Sequence, residues 1–152
     1  MNRALLAALL LAACTDVTNP TEDNEQEVIT TVTLSFVGQT SGDTVQATWA
    51  DPENDGSPVI DPIELGVGET WDLSVSFLDE LSDPTDDVTG EVAAESDQHQ
   101  VFFTGTAVDG LLDIAYADTD DNGFPVGLSA EVTPQASGTG VLTVTLRHLP
   151  LQ

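Results

Sequence analysis

The stretch Trp71-Asp72-Leu73-Ser74-Val75-Ser76-Phe77 alternates apolar and polar side chains without a break. Only an extended strand, whose side chains point to opposite faces in turn, sorts such a run into one apolar and one polar face. The same period recurs along the chain. From Val28 to Val37 it puts Val28, Val32, Leu34 and Phe36 on one side and Thr31, Thr33 and Ser35 on the other. After a turn at Ser41-Gly42, Val45, Ala47 and Trp49 alternate with Thr44, Gln46 and Thr48, which predicts a hairpin. Further strands are predicted from Gln98 to Gly105, near Leu111 to Asp118, from Val126 to Thr133 and from Gly140 to Leu149. Between Asp79 and Gln98 the period changes: Asp83-Pro84 reads as a turn, and Val88, Val92 and Ala93 share a helical face. A short helix is expected near 86–97, weakened by Gly90. Seven to eight short strands with almost no helix predict an all-β fold, a single antiparallel β-sandwich of immunoglobulin-like kind.

The N-terminus follows different rules. One basic residue, Arg3, precedes an apolar run from Ala4 to Ala13. That run is far shorter than the roughly 20 apolar residues a spanning helix needs, and it reads as a secretory signal. Its ending, Leu11-Ala12-Ala13-Cys14, resembles a bacterial lipobox, and the resemblance implies that Cys14 becomes the lipidated first residue of the mature chain. An ordinary signal peptide with a spectator cysteine is the alternative, and it leaves the position of the only cysteine unexplained. Residues 1–13 are therefore expected to be a lipoprotein signal peptide, 14–27 the lipidated cysteine with a disordered acidic tether, and 28–152 the sandwich. Glu22, Asp23, Glu25 and Glu27 crowd that tether. An acidic stretch so close behind the cysteine resembles the surface-export signals of some outer-membrane lipoproteins; a plain spacer is the other reading. The expected location is the outer membrane, lipid-anchored and facing the cell exterior.

Charge narrows the partners. The 152-residue chain carries a formal charge of −25, and losing Arg3 with the signal leaves Arg147 alone against 27 carboxylates, or −26. Such a field repels nucleic acid and anionic membrane surfaces, and it favours cations, basic proteins or a salty medium. Hydrophobic residues still make up 40% of the chain and fall into regular alternation, so the domain is expected to fold. With Cys14 committed to lipid, no thiol is left for a disulfide, a zinc-thiolate site or a nucleophile.

Three constellations could carry chemistry. Asp118, Asp120, Asn122 and Gly123 match the D-x-D-x-N-G opening of calcium loops, in which alternate carboxylates converge on one cation. An EF-hand is excluded, because Ser129 occupies the twelfth position and strands flank the loop; a calcium site in a β-loop remains. Asp51, Glu53 and Asp55, followed by Gly56 and with Asp61 beyond, repeat the spacing. Asp, Asn and Gly are also what bare turns select, so both loops stay open to that reading. The third constellation is a histidine pair. His99 is in phase with Val101 and Phe103, and His148 with Leu142, Val144 and Leu146, which places both on expected inward faces. If the strand ends meet, the two imidazoles could ligate a transition metal or a haem iron, with carboxylates completing the shell; otherwise they are hydrogen-bonded at the rim of a core. Arg147 points the other way and is expected to pair with neighbouring carboxylates. No nucleophile elbow, zincin motif, phosphate loop or lysine base is present, so an enzyme is not expected. Trp49, Trp71, Tyr116 and Phe124 could stack on sugars, but both tryptophans alternate with core residues and are expected to be buried.

A wider resemblance rests on Asp118-Thr-Asp-Asp-Asn-Gly-Phe-Pro-Val-Gly-Leu128 and the closing Thr145-Leu-Arg-His-Leu-Pro150, with Glu27-Val-Ile-Thr-Thr-Val-Thr-Leu34 and Asp97-Gln-His-Gln100. These stretches resemble small acidic outer-membrane lipoproteins often labelled "type 1 periplasmic binding fold superfamily protein". That label implies a two-lobed α/β fold, yet the chain has no alternating βαβ units, and the 139 residues left after removing 13 from 152 are too few for two lobes. What the resemblance implies is an accessory of outer-membrane transport. The expectation is a non-enzymatic lipoprotein whose acidic sandwich binds a cation, calcium first and a transition metal or haem second, beside an outer-membrane transporter. A structural or adhesive surface module is the alternative.

Overall fold

A computed structural model describes residues 27–148. The expected signal peptide, Cys14 and the expected tether up to residue 26 lie outside the described residues, as do the last four residues.

The described residues build nine strands and one short helix: β1 (Thr31–Gly38), β2 (Thr44–Ala50), β3 (Val59–Ile60), β4 (Trp71–Asp79), β5 (Asp86–Asp87), α1 (Val88–Ala94), β6 (His99–Thr104), β7 (Leu112–Tyr116), β8 (Ser129–Pro134) and β9 (Thr143–His148). All ladders are antiparallel. The large sheet runs β3-β2-β1-β4-β8-β7, with β5 added to the far end of β4, and β6 and β9 make a two-stranded sheet of their own. The protein is an antiparallel all-β sandwich without a closed barrel. Its two layers are unequal, whereas an immunoglobulin domain divides its strands nearly evenly.

The alternation in β4 explains the core. Trp71, Leu73, Val75 and Phe77 are all buried, while Asp72 and Ser74 are exposed. Leu34 and Phe36 of β1 add to the same face, in register with Val75 and Leu73. Val101 of β6 and Ala130 and Val132 of β8 close the cluster, with Phe103, Val144 and Leu146 packed half-buried against it. Each fully buried aliphatic or aromatic side chain contributes about 1.5–3 kcal/mol of transfer free energy. β1 begins three residues later than the alternation suggests, and Val28 is exposed. The hairpin turn falls at Ser41-Gly42, where Gly42 takes a φ of 71° that side chains resist.

Helix α1 owes its position to two anchors. Asp87 caps it by accepting from the Thr89 amide at 3.1 Å, and the Thr89 hydroxyl accepts from the Phe77 amide at 2.8 Å on the edge of β4. Val88 and Val92, one turn apart, turn inward to the core. The helix then hands the chain directly to β6.

Candidate metal centre

The Glu95 carbonyl, just past α1, receives the His99 backbone amide at 3.1 Å and the His99 Nδ1 at 3.2 Å. A carbonyl can only accept, so Nδ1 carries a hydrogen and Nε2 is the nitrogen turned away from the helix. Nε2 lies 2.6 Å from Oε1 of Glu27, and His99 as a residue is 1% exposed. Glu27 is held there because Thr30, three residues on, is buried and tied to both flanks: its amide donates to the Leu78 carbonyl and its own carbonyl accepts from the Asp51 amide.

His148 completes the group. It stands directly opposite His99 in the β6–β9 ladder, and the two rings stack with centroids 4.7 Å apart and planes 10° from parallel. Glu27, His99 and His148 each offer a ligand atom within 4.8 Å of the others. Two imidazoles and one carboxylate form a donor set suited to zinc, copper, nickel or iron rather than calcium. The bond from Nδ1–H to a backbone carbonyl is the outer contact that orients metal-ligating histidines.

The sequence phase is correct for both histidines, but only His99 is enclosed; His148, at the end of β9, is exposed. Strand phase fixes the face a side chain takes, and burial depends on what lies over that face. Arg147 differs from expectation too. Among the described residues it has no carboxylate partner, and its guanidinium lies 5.5 Å from the centre of the Phe102 ring, where the ring quadrupole attracts a cation. Sequence reasoning missed Glu27, which its acidic neighbours assign to the tether. The only available signal was its place at the border between the acidic run and the first alternating strand.

The two Asp-rich loops are organised differently. Asp118 accepts from the Gly127 amide at 2.7 Å and the Ser129 amide at 2.9 Å. Asp120 accepts from the amides of Asn122 and Phe124, and the Asn122 side chain lies 3.5 Å from it. Asp51, buried, accepts from the amides of Asp55 and Gly56, while Asp55 itself accepts from Ser57 and Glu53 is exposed. The Asp51, Asp55, Asp118 and Asp120 carboxylates are spent on closing their own loops. Among the described residues, neither loop brings three acidic groups within 4.8 Å of one another.

Of the sugar-stacking candidates, Trp71 is buried, Trp49 is half-buried and Phe124 is exposed. Tyr116 donates to the Val101 carbonyl at 2.9 Å, and burial pushes its phenol above the ordinary range. A cleft of about 920 Å³ opens at the other end of β6 and β9, between residues 60–67 and 136–142. Its acidic groups, Asp61 and Glu64, form no cluster with a histidine.

No family model, no curated protein and no solved structure matches this chain.

Proposed function

We propose that this protein is a lipid-anchored, outward-facing outer-membrane lipoprotein, not an enzyme, that binds a divalent transition metal through Glu27, His99 and His148 as an accessory to transport. The observation that carries the reading is the meeting of three donors: His99, with its Nδ1 committed to the Glu95 carbonyl and its Nε2 facing Glu27, and His148 and Glu27 offer ligand atoms within 4.8 Å of one another. A bare ion fits this arrangement better than haem, because Glu27 covers the nitrogen a porphyrin iron would need. The lipobox and the short apolar leader support the anchor, and the lack of lysine supports a partner that is a cation. Calcium at the Asp118 and Asp51 loops is the weaker part of the reading, since amides already occupy those carboxylates.

Calorimetric titration of the full chain bearing Cys14→Ser with zinc, copper and calcium tests it. Tight binding of zinc or copper that disappears in His99→Ala and weakens in His148→Ala is expected. Equal heats in all three proteins would end the reading.

One observation favours a structural surface module instead: the acidic loops are self-closing, so the carboxylates have work to do without any ion. In that case monovalent salt with a chelator restores full stability, because screening alone relieves the repulsion.

A further inference from the structure

We infer that the metal held by Glu27, His99 and His148 keeps a coordination position open beside His148 and takes there a neutral nitrogen donor from outside the chain, with imidazole as the type. The inference rests on the metal reading above and adds to it what the centre exchanges with.

Three observations lead to it. The first is the number of donors: among the described residues three groups lie within ligand reach of one another, whereas a closed structural site is made by four. The second is the direction in which the group is open. The side chain of His99 is fully enclosed and that of Glu27 is 15% exposed, while His148 is exposed, so solvent reaches the group from the His148 side. His148 ends β9, and among the described residues β9 pairs only with β6. An incoming group can therefore approach along a free strand edge without displacing any part of the core.

The third observation selects the ligand class. Glu27 already brings a negative charge to the centre, a Glu95 carboxylate oxygen lies 3.9 Å from Nδ1 of His99, and the whole chain carries −25. The ion's own two charges offset Glu27 and Glu95, but a further anion still enters against the field of the remaining carboxylates, while a neutral donor meets no such penalty. Imidazole is the neutral nitrogen donor that proteins carry. An exchangeable position of this kind lets a metal pass between this centre and a histidine of another protein by ligand exchange, without release of the free ion.

The test uses the full chain with Cys14→Ser, which removes the only thiol that could compete for metal. The protein is loaded with Co²⁺, and imidazole and azide are titrated separately while visible spectra and native masses are recorded. The expected result is a shift of the Co²⁺ bands with imidazole, a mass increase of one imidazole with the metal retained, and a much weaker response to azide at matched concentration. Bands unmoved by both ligands would show a shell closed by the chain itself and overturn the inference. So would a stronger response to azide, or Co²⁺ stripped by imidazole with no ternary species. If no Co²⁺ bands form, or if they survive His99→Ala and His148→Ala unchanged, the metal reading itself fails and the inference goes with it.

Discussion

Glu27 and His99 stand 72 residues apart in the chain and 2.6 Å apart in the fold. The bond joins the segment that enters the sandwich to the first residue of β6, and His99 brings His148 with it across the ladder.

The two histidines should therefore separate stability from metal binding. His99→Ala leaves the Glu27 carboxylate without its partner and opens space in a fully enclosed position, a loss of about 2–4 kcal/mol. His148→Ala, at an exposed strand end, should cost no more than about 0.5 kcal/mol yet reduce zinc affinity. Urea unfolding with chelator present measures the first effect, and zinc titration the second.

Asp118→Ala should cost about 1–3 kcal/mol, because the Gly127 and Ser129 amides lose the acceptors that satisfy them in a partly buried loop. The loss is expected to be the same in chelator and in excess calcium. A loss seen only with calcium present would assign the carboxylate to the ion.

Gly127→Ala should destabilise by about 1–3 kcal/mol. Gly127 has a φ of 90°, and a Cβ there would come within 2.7 Å of the Val101 carbonyl oxygen and 2.8 Å of the Tyr116 ring. Both neighbours belong to the contact that holds β6 over the large sheet, where Tyr116 donates to that same carbonyl. Thermal unfolding followed by circular dichroism checks it.

Glu69 makes a pH-dependent contribution. The Ser41 amide, with further help from the Thr40 amide and the Ser41 hydroxyl, holds its carboxyl below the ordinary value, so the folded state favours the ionised form. That stability is present above the unfolded carboxylate pKa and is lost as pH falls through the lower folded value. Glu69→Gln should therefore be less stable than the parent near neutrality and converge with it in acid. Comparing the two cancels the general relief of repulsion that acid gives a chain of charge −25. Curves that stay parallel down to strongly acid pH would refute the assignment.

Much of the fold was legible in the sequence, because strand identity is a local property. Side chains alternate every second residue, and a run such as 71–77 carries its own instruction about which face is inward. The hairpin turn, the helix between β4 and β6, and the partition of strand residues into core and surface all follow from neighbours in the chain. The unequal layers do not, since pairing partners are chosen among strands with similar apolar faces.

The candidate site divides along the same line. Periodicity placed His99 and His148 on the face that carries each strand's apolar residues, and both Asp-rich stretches were readable as loops. Only the tertiary structure decided that the histidines meet in register, that one is sealed and the other open, and that the loop carboxylates close on their own amides. It also recruited Glu27, whose sequence surroundings say only that it is acidic. A strand's face is written every two residues, whereas a contact across 72 residues depends on how whole sheets stack, and no local pattern encodes that.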